Sequence, residues 1–211
     1  MRAFYHCLFL ICLVATAPVS AMGDVSEDSC VILENGLVPE LFGVAGELVS
    51  YKRSIPVKRV GHVLCTASWD NPDKAELEAA YTKKVQEWGR NMASGKKEPM
   101  PKSPALVYRV SVTLVATQFD SAAAAVTSLE DAVATLSKGV TVNVGGKDYT
   151  TTASFGDWID GLGDKAIFSD KGELMVASDA RRFAVMVEVS ADPEVNRAKA
   201  LALAERIMTS F

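Results

Sequence analysis

The chain has 211 residues, of which 49% are hydrophobic and 23% charged, with a formal net charge of −4. That length fits one domain with a substantial core. Mild acidity with no basic block argues against a nucleic-acid partner, which needs clustered Lys and Arg.

The opening reads as an export signal. Met1-Arg2 gives a minimal positive start, Phe4 to Ala17 is almost wholly apolar, and Pro18 breaks any helix there. Val19-Ser20-Ala21 presents small side chains before Met22, which predicts cleavage after Ala21. The apolar core is too short for a span of about 20 residues, and acids from Asp24 to Asp28 follow it at once. A lipid anchor is not expected, because Cys12 lies inside the apolar run without a small-residue box. Cleavage leaves about 190 residues, with residues 22–29 as a flexible lead and no later stretch apolar enough to span a membrane. An alanine- and valine-rich composition without an Asn-x-Ser/Thr acceptor suits a bacterial periplasm.

Cleavage also simplifies the chemistry. Cys7, Cys12 and His6 leave with the leader, so Cys30, Cys65 and His62 remain. Two thiols in an exported protein are most simply one disulfide. A redox pair usually has Cys-x-x-Cys spacing, and a zinc site wants four ligands.

In chain order, Glu34 to Phe42 predicts a short helix. Val57 to Trp69 alternates with period two, so Val63, Cys65, Ala67 and Trp69 share one face of a strand. Asn71-Pro72-Asp73 predicts a helix start with the proline in the first turn. The stripe Leu77, Tyr81, Val85, Trp88 and Met92 then gives that helix a narrow apolar edge. Lys96 to Pro104 reads as a loop, so residues 71–104 form a helix–loop excursion from a domain covering 30–211. Leu106 to Thr117 is the clearest strand, and Asp120 or Ser121 caps a helix burying Val126, Leu129, Val133 and Leu136. Val140–Val144, Gly145-Gly146 and Lys147–Thr152 predict a hairpin. A meander follows over 165–169, 173–178 and 182–190. The chain then closes with a helix from Asp192-Pro193 that buries Ala200, Leu201, Leu203, Ala204, Ile207, Met208 and Phe211. The class is α+β: an antiparallel, partly meandering sheet packed by helices in a single domain.

No catalytic constellation emerges. His62 alternates onto the polar face of its strand, with no acid nearby in sequence. Gly145-Gly146-Lys147 lacks the earlier glycine of a phosphate loop and is followed by Asp148 rather than Ser or Thr. Gly161-Leu162-Gly163 lacks the third glycine of a dinucleotide turn, so no cofactor is expected. Asp157, Asp160 and Asp164 share a loop with Trp158. Calcium binding is one reading and local turn chemistry the stronger one, since the spacing fits no calcium-loop pattern. A hydrolytic carboxylate pair in this loop is the enzymatic alternative. Trp158, in a polar glycine-rich stretch, is the best candidate for an exposed contact, and Trp88 marks the helix edge.

Four short motifs occur in order: Cys30-Val31-Ile32-Leu33, Cys65-Thr66-Ala67-Ser68-Trp69, Gly161-Leu162-Gly163-Asp164-Lys165-Ala166, and Leu203-Ala204 in the last helix. The arrangement resembles extracytoplasmic domains of bacterial envelope lipoproteins and sensor kinases with a PsbP-like α+β fold. It departs from them in lacking a lipidation cysteine and in the excursion at 71–104. The resemblance implies binding or sensing, and it carries over no functional residue. The expected function is a periplasmic, non-catalytic binding or accessory module for an envelope protein or small ligand. A carboxylate hydrolase and a secreted inhibitor or immunity-type protein are the alternatives.

Overall fold

A computed structural model describes residues 30–54, 61–115 and 118–210. The expected leader and the 22–29 lead, residues 57–60 and 116–117 of the expected strands, and Phe211 lie outside the described residues.

Two meanders build one antiparallel sheet of seven strands. The first comprises β1 (Ser50–Ser54), β2 (His62–Asp70) and β3 (Val107–Val115). The second comprises β6 (Phe155–Ile159), β7 (Lys165–Ser169), β8 (Leu174–Ser178) and β9 (Arg181–Glu188). Pairing of β3 with β9 joins them in the order β1-β2-β3-β9-β8-β7-β6. The crossover between the meanders carries helix α4 (Ala122–Lys138) and a separate hairpin, β4 (Val140–Val144) with β5 (Lys147–Thr151). Gly145 and Gly146 turn that hairpin at φ 61° and 81°, a left-handed pair that only glycine adopts without strain.

The period-two faces emerge as read. Val63, Cys65, Ala67 and Trp69 are buried beside Val110, Val112, Leu114, Phe183, Val185 and Val187. Against this face pack α1 (Val31–Glu34), α2 (Leu37–Phe42) and α5 (Pro193–Met208). α5 buries Ala200, Leu203, Ala204 and Ile207, while Leu201 and Met208 are half-buried. Burying a Leu, Ile, Val or Phe contributes about 1.5–3 kcal/mol. The opposite face is covered at one end by α4, where Ala125 and Leu129 meet Ile167, Met175 and Ala177. Ser121 caps α4, its Oγ accepting from Ala124 N at 3.2 Å. Asp192 caps α5 by accepting from Glu194 N at 2.9 Å. Cys30 and Cys65 are joined as a disulfide, with their Cα atoms 5.3 Å apart.

Four sequence expectations need correction. The helix expected over 34–42 is two helices, because Gly36 takes φ 84° between them. Pro39 survives in the first turn of α2, where no donor is missed. Strand β1 was not expected: Ser-Tyr-Lys-Arg-Ser is too short and polar to show a period. α3 (Lys74–Ala93) starts after Pro72, because Asn71 first closes a turn. Its Oδ1 accepts from Asp73 N and its carbonyl from Lys74 N. Finally, Asp157 and Trp158 do not share a loop with Asp160 and Asp164. They lie on strand β6, whose Gly156 and Asp157 disfavour a strand on propensity alone. β6 pairs with β7 through an irregular register between Phe155 and Trp158.

Candidate functional site

A cleft of about 820 Å³ opens where the ends of several elements converge. Register sets two of its aromatic walls. Trp69 near the end of β2 lies opposite Tyr108 near the start of β3, with the rings edge-on and their centroids 6.2 Å apart. Phe42, the last residue of α2, tilts against Trp69 at 5.4 Å. Gly43 ends α2 in a left-handed conformation, and the chain then loops over the cleft mouth through Leu48, a 65% exposed leucine.

Hydrogen bonds to Asn71 and Asn196 fix this convergence. Buried Asn71 donates from Nδ2 to Ala105 O at 2.8 Å, and its own N–H donates to Leu106 O. The start of α3 is thereby held to the start of β3. Asn196 accepts from Val189 N and donates to Ser190 O, which holds the start of α5 to the end of β9. Three of the charged groups around the cleft are also engaged, and exposed Glu78 stands on its wall as a fourth. Lys74 pairs with Asp70 at 3.0 Å. Lys199 donates to Leu41 O at 2.7 Å while its ammonium sits 5.5 Å from the Phe42 ring centre. With these polar groups committed, a ligand here would meet aromatic and aliphatic surface beside the Glu78 carboxylate.

A second cavity, about 740 Å³, lies between α4 and the faces of β2, β3 and β9 that point away from the main core. His62 is on its wall, together with Asp131, Glu173 and Arg182. Arg182 donates to the Ser128 carbonyl and, at 2.9 Å, to its hydroxyl, tying β9 to α4.

The sequence candidates sit elsewhere. Trp158 is 38% exposed on β6, with the Lys165 ammonium 4.3 Å from its ring centre. Asp157 and Asp160 are exposed. Asp164 accepts from Asp179 N at 2.7 Å, which ties the loop after β6 to the turn between β8 and β9 rather than closing a local turn. It follows Gly163, where an added Cβ would come within 2.6 Å of Ala177 O. None of these three carboxylates lines either cavity. Among the described residues, no group of three or more His, Cys, Asp or Glu is placed to hold a metal ion. Trp88 is half-buried and donates from Nε1 to Glu98 O at 2.9 Å, so its indole anchors the loop after α3.

Sequence reasoning placed Trp69 correctly on an inward face but missed the cleft. Alternation assigns a face to a residue, whereas the cleft depends on which residues meet across strands. Phe42 carried no signal at all, being one apolar residue in a short helix. No protein-family model matches this chain, and comparison with curated proteins and with solved structures gives no match either.

Proposed function

We propose that this protein is an exported, non-catalytic binding module of a bacterial envelope, and that its ligand lies in the Phe42–Trp69–Tyr108 cleft. One observation carries the reading: an aromatic-walled cleft of about 820 Å³ where Asn71, Asp70, Lys74 and Lys199 have partners in the chain and exposed Glu78 adds one carboxylate to the wall. Such a volume suits a small molecule, and walls of this kind select an apolar body rather than a charged one. The ligand is therefore a small amphipathic molecule with an aromatic or aliphatic body. The leader at residues 1–21 and the Cys30–Cys65 disulfide both favour an oxidising compartment. A carboxylate hydrolase has less support, because Asp157, Asp160 and Asp164 lie away from both cavities.

The test is a thermal-shift screen with aromatic and aliphatic amphiphiles, run on the parent and on Ala75→Trp. Ala75 is an exposed residue of α3 on the cleft wall, so the indole would fill the cleft without touching the core. At least one amphiphile should raise the parent Tm and leave Ala75→Trp unmoved. A panel with no hits, or a shift that survives in Ala75→Trp, would overturn the assignment.

A further inference from the structure

The far end of α3 and the connection after it form a surface with different chemistry. α3 contributes Lys83, Lys84 and Arg90, and the connection contributes Lys96, Lys97 and Lys102. Between residues 83 and 102 only Glu87 and Glu98 oppose them. All six cations are exposed, and none joins an ion pair among the described residues. The whole chain has 22 Lys and Arg against 26 Asp and Glu; without this segment, 16 face 24. Positive charge is thus concentrated on one part of an otherwise acidic molecule.

The sequence hides this surface because the cations are spread over 20 positions in a helix and a loop. Glu98 brings the connection, with its three lysines, back to the helix. Its carbonyl accepts from Trp88 Nε1 and its carboxylate from Asn91 Nδ2 at 3.0 Å, folding the connection back onto the last turns of α3. Met92 and Met100 stand among the cations, 43% and 57% exposed, with Pro99 and Pro101 beside Met100. α3 has no buried residue along its 20 positions, so core formation does not account for it.

We propose that this surface docks the protein on an anionic lipid bilayer. Lysines near such a surface are drawn to its negative potential within a Debye length. Exposed thioethers and prolines are apolar enough to enter the boundary between headgroups and acyl chains. A single-stranded nucleic acid would instead want free aromatic faces to stack on, and Trp88 is half-buried against its own loop, while a duplex would leave the exposed thioethers and prolines unused. The inference is independent of the cleft, so either can fail without the other.

The test is cosedimentation of the full chain with phosphatidylcholine vesicles, with and without 30% phosphatidylglycerol. Parent and variant are compared in the same processing form, so that any contribution of the leader cancels. The parent should bind only the anionic vesicles, about tenfold or more weakly at 300 mM than at 50 mM salt. Lys96→Glu/Lys97→Glu/Lys102→Glu should weaken that binding by about 100-fold at an unchanged Tm. Lys83→Gln/Lys84→Gln gives a second, milder loss from the helix side. Equal binding to neutral vesicles, no binding to either kind, or full binding by the triple variant would overturn the proposal. Tight binding to duplex DNA without vesicle binding would do the same.

Discussion

Reduction of the disulfide should weaken the fold by an amount that can be worked out in advance. Cys30 precedes α1 and Cys65 sits mid-strand in β2, 35 residues later, and both are buried. Closing a loop of that size removes about 13 cal/mol/K of chain entropy from the unfolded state, or about 3.8 kcal/mol at 25 °C. For a domain of this size each kcal/mol moves Tm by about 2–4 °C, so reduction should lower it by about 8–15 °C. Calorimetric melts with and without a phosphine reductant measure this, with Cys30→Ala/Cys65→Ala as the control free of reductant. Cys65→Ser should fall at least as far, since it also buries a hydroxyl among apolar neighbours. The loss should have a place as well as a size, because the bridge pins α1 and α2 to β2. Amides of residues 31–42 should exchange faster in the reduced protein before the rest of the sheet does. If thiols shown to be free by mass spectrometry leave Tm within about 2 °C of the oxidised protein, the reasoning fails.

Three other outcomes follow from particular contacts. Asn71→Ala strands Asp73 N–H and Ala105 C=O and should cost about 1–3 kcal/mol by urea denaturation, whereas a loss under about 0.5 would deny Asn71 its role as a tie. Trp158→Ala should cost less than about 1 kcal/mol, since it removes an exposed ring and a solvated cation–π contact. Trp69→Ala, from the core, should cost about 3–5, and equal losses would contradict the burial pattern. Burial, and then the charge of Glu34, raise the Tyr51 phenol above its usual 10.0. The neutral form is favoured in the folded state, so this contribution is complete below pH 10.0 and is lost as pH rises through the raised value. Tyr51→Phe should flatten that alkaline slope. The difference in 295 nm absorbance between the parent and Tyr51→Phe should show Tyr51 ionising above pH 10.0, and ionisation at or below it would contradict the reasoning.

Sequence pattern reached the long, one-sided elements because burial on one face imposes a period. β3, β9, α4 and α5 all show it, and so does the Cys65 face of β2. It failed where a neighbour supplied the reason for the structure. β1 and β6 are strands because β2 and β7 offer them hydrogen bonds, not because Lys52 or Asp157 favours extension. The sites divide in the same way. Trp88 and Asp164 were singled out for chemistry, yet each bonds a backbone group of another segment of the chain. The Phe42–Trp69–Tyr108 cleft joins residues far apart in the chain, and only the β2–β3 register and the end of α2 bring them together.

The two outer strands of the sheet bear on how the protein behaves in a crowded compartment. An open sheet has two unpaired rims, and long flat rims invite another chain to add itself. Among the described residues both rims are five residues long. One is β1, with Lys52 and Arg53 in its middle; the other is β6, with Gly156, Asp157 and the register irregularity before Trp158. Charge, brevity and a bent ladder make each a poor template for polymerisation. The same residues that kept both strands from being read in the sequence therefore guard the folded protein against edge-to-edge aggregation.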